Sequence, residues 1–495
     1  MSGTLNMNMM KKQWIITWAV VIVAGLVTWF LWPNNSTTYL RVIPSDATAL
    51  VSVDIDEFIK ESQLSADKLK KAFPKIAQAG TAGLDLSKPV YGFATTDGKS
   101  GLLAAVDDEK QLTNFLKENA SLMKAAPIEE QQGYNWTFIN NMFVLGYDDE
   151  VALLMGPTLV SNQAEVRQQM VTCLKQSKKE SVLESPLYQV LRKQDGMLKA
   201  VTSLNVLPQY YEVFQNMGLP EHVDFSKILV TASMETEDDR IVLHSELNAE
   251  DHALAQQMKP LDDMIRPISG EFVASVSKDA LFWACANVKG EKFMEKVAEA
   301  PALRLYLMAI NNVMDVEQML RKVDGDLVFS AAVDEQMTWQ IQGQVSDMSF
   351  MKEADYWMAE ARKSRMYQFN KLDDDLYCMS SRQFGKVFLG TKDKNLLFCN
   401  DRKLMDNLQN GAHNDLLQPY KKDIQNSKFY VWANVTAYAK ALRMFGMSKM
   451  YENMLGELSF MDKIDAMALR SVKATSMDLI FYLKDKNSGL KQMFE

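Results

Sequence analysis

Imidazole is both a common metal ligand and the side chain that titrates nearest neutral pH. The four histidines, His222, His244, His252 and His413, are therefore the first residues to weigh for chemistry. No two stand four residues apart, so no helix would present a pair on one face, and a metal centre would need carboxylates from far along the chain. Ser65 and Lys68 form an S-x-x-K spacing, which sets a lysine one helical turn from a serine nucleophile. The penicillin-recognising enzymes that use this spacing also need S-D-N and K-T-G, and neither triplet occurs. Ser65 reads instead as the N-cap of a helix through Leu69. The patterns GxSxG, HExxH and GxxxxGK[ST] are absent.

Carboxylates cluster at Asp107-Asp108-Glu109, Asp148-Asp149-Glu150, Asp238-Asp239 and Asp373-Asp374-Asp375. A calcium loop alternates its oxygen ligands around a glycine, whereas these acids are contiguous and stand at expected turns and helix starts. They read as caps and solvated turn residues; Asp373 to Asp375 is the run a weak calcium site would use. Cys173, Cys285, Cys378 and Cys399 are widely spaced and contain no CxxC. They read as small apolar core residues, and Cys378 and Cys399 would pair only if their strands were neighbours. These residues nominate no catalytic, cofactor-binding or metal site, and the chain is expected to be non-enzymatic.

The segment that would position this body is Gln13 to Trp32, QWIITWAVVIVAGLVTWFLW, twenty residues without a charge. That is about the length of helix that spans a bilayer core. Trp14 and Trp18 near one end, and Trp29 and Trp32 at the other, read as two aromatic belts, and Lys11 and Lys12 hold the N-terminus in the cytoplasm. The stretch exceeds a signal-peptide core and ends on bulky residues where a cleavage site needs small ones, so it reads as an uncleaved signal anchor. The expectation is a cytoplasmic segment 1–12, a transmembrane anchor 13–32 and a linker 33–39. The rest of the chain would be held on the periplasmic side of the inner membrane.

The chain has 495 residues, 47% of them hydrophobic, and a formal net charge of −9. It can bury ordinary cores, and it lacks the positive balance of a general nucleic-acid binder. Beyond the linker, strand-like and helix-like patterns alternate. TALVSVDI is followed by Asp54 and Glu57 in a helix-capping arrangement. PVYGFATT and GLLAAVDD flank an Asp97-Gly98 turn, and Asp108 caps a helix carrying Leu112 and Leu116. Ser185-Pro186 starts a further helix.

From about Ile265 the pattern begins again. FVLGYDDEVALLM matches VFLGTKDKNLLFC, with Gly146 and Gly390 separated by 390 − 146 = 244 residues. SLNV matches WANV, with Asn205 and Asn434 separated by 434 − 205 = 229. The expected fold class is α+β: an N-terminal transmembrane helix, then two tandem duplicated α+β units, 40–255 and 260–495, with largely antiparallel sheets.

The opening RVIPSDATALVSVDIDEFIKES resembles the start of a family of Bacteroidota cell-envelope proteins of unknown function, whose first segment reads roughly IP-x-DA-x-x-V-x-x-ID. SPLYQVLRKQ and LKAVTSLNVLPQYY resemble that family's helix-then-strand element. Many members are lipoproteins, and this chain differs in carrying an apolar stretch in place of a lipid-attachment cysteine. The resemblance implies an envelope setting and supplies no catalytic residues.

The expected function is that of a membrane-anchored, non-enzymatic binding or scaffold protein with a protein partner in the envelope. The alternative is a carrier or sensor of an apolar small molecule such as a lipid. The 32 methionines read mostly as core filling, with the run from Arg443 to Met461 as a candidate docking surface.

Overall fold

A computed structural model describes residues 37–63, 82–206, 224–249, 255–256, 263–299, 314–333, 336–364, 366–382, 385–411, 413–444 and 462–494. The contacts divide the chain into two compact units. One comprises Met1–Pro208, Asp224–Glu250 and Asp485–Glu495, the other Gln209–Val223 and Asp251–Lys484.

In the first unit the strands are β1 (Ala47–Val53), β2 (Leu84–Asp85), β3 (Val90–Thr95), β4 (Ser100–Val106), β5 (Glu129–Gln131) and β6 (Tyr134–Ile139). They continue with β7 (Phe143–Tyr147), β8 (Val151–Met155), β9 (Leu198–Ser203), β10 (Ile228–Glu237) and β11 (Arg240–Ala249). All pair antiparallel, in the order β5-β6-β7-β8-β4-β3-β1-β9-β10-β11, with β2 added to β4.

The second unit holds β12 (Ile265–Arg266), β13 (Ala280–Lys289), β14 (Val323–Val333), β15 (Met337–Val345), β16 (Tyr367–Asp373) and β17 (Leu376–Ser381). After them come β18 (Gly385–Lys392), β19 (Asn395–Cys399), β20 (Phe429–Asn434), β21 (Ile464–Ser471) and β22 (Ser476–Leu483). Their order is β16-β17-β18-β19-β15-β14-β13-β20-β21-β22, again antiparallel throughout, with β12 added to β13. Strand for strand this is the succession of the first unit.

These strands correct the expected fold class. The described chain is a large antiparallel sheet structure of 22 strands with short helices laid on it, not an α+β body built behind a membrane helix. The physical reason is the length of the alternating segments: β10, β11, β13 and β14 run for ten or eleven residues, as long as most of the helices. Among the described residues no helix is long and apolar enough to cross a membrane. The longest, Gln163–Lys175, has 13 residues where about 20 are needed. The described residues therefore give no support to a single-pass anchor in the inner membrane. The stretch 13–32 itself, with Trp14, Trp18, Trp29, Trp32, Lys11 and Lys12, lies outside the described residues. So do Ser65 and Lys68, His222, His252 and most of the late methionine run.

The opening motif of the first unit locks the chain onto its core. Thr38–Val42 forms a 3-10 turn that buries Tyr39, Leu40 and Val42, and the Tyr39 hydroxyl donates to the Pro89 carbonyl at 2.6 Å. Ile43 is fully buried and its carbonyl receives the Val182 N–H at 2.9 Å, while the Ser45 N–H donates to Glu180 at 3.2 Å. Asp54 caps the helix Ile55–Ser62 by accepting the Glu57 N–H, Asp108 caps Glu109–Glu118 through Gln111, and Ser185 caps Pro186–Leu191 through Tyr188.

Gly146 on β7 and Gly390 on β18 have one purpose in common. Each leaves room for a methionine from the helix that follows its hairpin, Met170 of Gln163–Lys175 and Met405 of Arg402–Gln409. A Cβ would meet the methionine sulfurs at 2.6 and 2.7 Å. Both methionines are almost fully buried, so neither swings aside without disturbing its neighbours.

Gly146→Val and Gly390→Val are each expected to cost about 1–3 kcal/mol by overpacking. In urea unfolding, trimming the opposed side chain (Met170→Ala or Met405→Ala) is expected to recover part of that loss. Strictly additive losses would show that glycine and methionine do not compete for the same space.

Candidate functional site

The described residues among those first weighed for chemistry do not form a cluster. His244 lies on β11 with Glu246 3.9 Å away, and His413 is exposed. Asp148 accepts the Glu150 and Val151 N–H groups at 2.9 and 2.8 Å in the β7–β8 turn. Asp373 to Asp375 form the exposed β16–β17 turn, where Asp374 pairs with Lys371 at 3.0 Å. Among the described residues no three metal-ligating side chains stand together. All four cysteines are free. Strand β18 lies between Cys378 and Cys399, each of which faces its Phe388, so their strands are not neighbours. Burial pushes the Cys173 and Cys399 thiols up to about 11, out of reach of a thiolate role near neutral pH.

What does come together is on the second unit's sheet. Side chains alternate between its faces, and the inward row reads Asp478, Arg470, Tyr430, Cys285, Val328, Gln342 and Leu397 across seven strands from β22 to β19. This face is unusually polar for a core. Arg470 Nε donates to Asp478 at 2.6 Å, and its Nη1 donates to Asp423 at 3.3 Å. Tyr482 donates to Asp423 at 2.7 Å and lies 2.9 Å from the Tyr430 hydroxyl. Asp423 comes from the short helix Lys421–Gln425, which covers this side with the fully buried Ile424. Further along, the fully buried Asp326 accepts from the backbone and hydroxyl of Ser269, from the Gly270 N–H and from Asn287, all at 2.7–2.9 Å.

The outward row of the same strands reads Leu479, Leu469, Val431, Ala284, Phe329, Ile341 and Phe398. Not one is polar, and none is buried; Phe329 is 42% exposed. Phe329 also meets Phe282 with ring centroids 5.9 Å apart. An antiparallel sheet with one filled face normally presents polar side chains on the other. Here the inward face mixes this polar network with the fully buried Trp283, Trp432 and Ile480, while the other face is apolar: Ala286, Leu327 and Phe398 pack there against the cluster around Trp357 and Phe369, and Phe329 is left exposed.

The first unit shows that the strand order does not impose this. Its matching outward row is Leu247, Val230, Thr202, Ala49, Ala94 and Ser100. Thr202 stands where Val431 does, Ala94 where Phe329 does and Ser100 where Ile341 does. Its inward row, Thr231, Val201, Leu50 and Phe93, is the more apolar of the two units' inward rows. The apolar row is invisible to motif searching, because it is a property of register across seven strands. Outward alternation within single strands, such as Phe282, Ala284 and Ala286 on β13, was the signal available.

The inward cluster is suited to holding structure rather than moving protons. Burial pushes the ionisation of Tyr420, Tyr430 and Tyr482 far above the ordinary tyrosine range, so all three stay protonated donors. Burial opposes the Arg470 charge, but its hydrogen bond to Asp478 and the attraction of Asp478 and Asp423 outweigh that and strengthen it.

A model of the family described as a domain of unknown function (DUF4836) matches residues 39–489. A comparison with functionally curated proteins finds no match. Among solved structures, crystal form III of TP0453 aligns at 9% identity and a TM-score of 0.27, covering 47% of this chain and 90% of that one. Crystal form I of TP0453 gives 8% and 0.25, covering 47% and 88%. At such TM-scores neither likeness carries an argument.

Arg470→Met would strand Asp478 and Asp423. The expected loss is about 2–3 kcal/mol in urea unfolding, below the ~3–5 of a fully buried pair because the Arg470 side chain keeps 23% exposure. The three buried tyrosines contribute stability that is complete below about pH 10, the unfolded tyrosine value, and is lost as pH rises beyond it. Unfolding measured from pH 8 to 11.5 should show that fall, and Tyr482→Phe should make it shallower; an unchanged slope would contradict the assignment.

Proposed function

Because the chain belongs to the DUF4836 family, a domain of unknown function, we propose its role from the site itself: it is a non-enzymatic binding protein. Its second unit takes a protein partner on the outward apolar face centred on Phe329. The observation that carries this reading is Phe329, 42% exposed at the middle of that apolar row with Phe282 beside it. An exposed phenylalanine set in a partly buried apolar row is costly in water and becomes favourable when a complementary surface covers it. The aromatic character of the face, with Phe282, Phe329, Trp339, Phe398 and Phe481, suits the centre of a protein interface, which favours aromatic residues. A carrier of a small apolar molecule would need an enclosing chamber instead.

The absence of an enzymatic role is part of this proposal. It is supported by the tyrosines and thiols held protonated at neutral pH and by the wide spacing of the four histidines along the sequence. A Bacteroidota cell-envelope setting for the partner is supported by the opening segment with Ile43, Pro44, Asp46 and Ala47. The net charge of −9 supports a partner other than nucleic acid.

Phe329→Asp tests the reading. The side chain is partly exposed and not part of a filled core, so stability should change by only about 0.5 kcal/mol. Crosslinking of the full-length protein in cells, followed by mass spectrometry of protein and lipid fractions, should recover a stoichiometric protein partner. That recovery should fall about tenfold or more with Phe329→Asp. A partner recovered equally by both forms, or a bound lipid with no protein, would overturn the proposal.

A further inference from the structure

A different surface lies at one end of the first unit, where three loops meet. The β6–β7 turn, Asn140 to Met142, is tight, with Asn140 and Asn141 in the left-handed region at φ +50° and +54°, a conformation asparagine tolerates. The Asn140 N–H donates to the Met123 and Lys124 carbonyls at 3.2 Å, which ties down the short helix Ala120–Met123. The Ala126 N–H donates to Phe138 at 2.9 Å. On the other side the Thr158 N–H donates to Met142 at 2.7 Å, and the Gln163 side chain donates to the Asn141 carbonyl at 2.9 Å. The three loops are therefore laced into one rigid tip.

That tip exposes large apolar side chains: Leu159 and Val160 at 73% each, Leu122 at 67% and Met142 at 42%. It is also almost uncharged. Across residues 119–128, 139–147 and 155–164 the only charged side chain is Lys124, in a chain that is 24% charged. The second unit repeats the strand order, but at the matching end its loops carry Arg382, Lys386, Asp401, Arg402 and Lys403. The apolar tip is thus not a consequence of the topology.

We infer that this tip docks onto a lipid surface, with Leu159, Val160, Leu122 and Met142 entering the acyl boundary and Lys124 at the headgroups. Three features favour lipid over a protein groove. The side chains are aliphatic and strongly exposed on a loop cluster, whereas protein hot spots favour Trp, Tyr and Arg in central pockets. The near absence of charge removes the cost of dragging ions into the interface. The one charge present is positive and complements anionic headgroups, although the whole chain is at −9. The contact is made by loops and involves no membrane-crossing helix.

The test places a bimane label at Leu159→Cys in full-length protein carrying Cys378→Ser, the other native cysteines being buried. The protein is reconstituted into vesicles of phosphatidylethanolamine and phosphatidylglycerol with brominated chains. A label at Val472→Cys, an exposed position of the second unit, is the reference. Quenching at 159 should exceed that at 472 by about twofold or more, because the label sits at bromine depth. Equal quenching at the two positions would overturn the inference. In a second form, the label is moved to Met142→Cys and combined with Leu159→Ser and Val160→Ser. Loss of the two aliphatic side chains should reduce quenching by about half or more. Undiminished quenching would show that they do not drive the contact.

Discussion

A β-strand sends alternate side chains to opposite faces, and the register between strands decides which side chains line up. In the second unit that rule aligns seven strands so that Arg470, Tyr430 and Gln342 point one way and Leu469, Val431, Phe329 and Ile341 the other. A slip of one residue would exchange the two sets. The inward polar network makes such a slip costly, because Arg470 would lose both carboxylates and Tyr482 its acceptor. The buried hydrogen bonds thus hold the apolar row outward. Burial of Trp283, Trp432 and Ile480 on the inward face favours the same register, so the polar network adds to the specificity that packing already gives.

The two units build different surfaces on one strand order. Both hang a helix after the hairpin formed by the third and fourth strands from one edge, and both reserve space for its methionine with a glycine. They then diverge at positions that the framework leaves free. The first unit fills its inward face with Leu50, Phe93 and Val201, sets Thr202, Ala94 and Ser100 where the second has Val431, Phe329 and Ile341, and exposes a tip with Lys124 as its one charge. The second buries hydrogen bonds, exposes aromatic rings and charges the matching tip. A shared scaffold with separated chemistry fits a protein that meets more than one surface.

Local features were legible in the sequence. Asp54, Asp108 and Ser185 announce helix starts because a cap involves residues only three apart, and Asp97-Gly98 announces a turn because Gly98 must take φ +80°. The correspondence of Gly146 with Gly390 was visible, but its reason, a methionine from the next helix, was not. The balance of sheet over helix was misjudged, since short apolar runs fit either period and only pairing decides between them. The polar network was out of reach for a different reason. Arg470 and Tyr482 are separated by 47 and 59 residues from Asp423, the carboxylate they share. Nothing in a window of sequence marks them as partners, and the apolar row needs six registers at once.

The most direct measurement of the central claim is site-specific photocrosslinking in cells, with benzoylphenylalanine in place of Phe329 and, as a reference, in place of Tyr356, which is exposed on the helix Ala354–Lys363. If the outward apolar row is a binding face, the position 329 probe gives a discrete adduct with a second protein and the position 356 probe does not. A position 329 probe that reacts only within its own chain, or no more than the reference, would contradict the account.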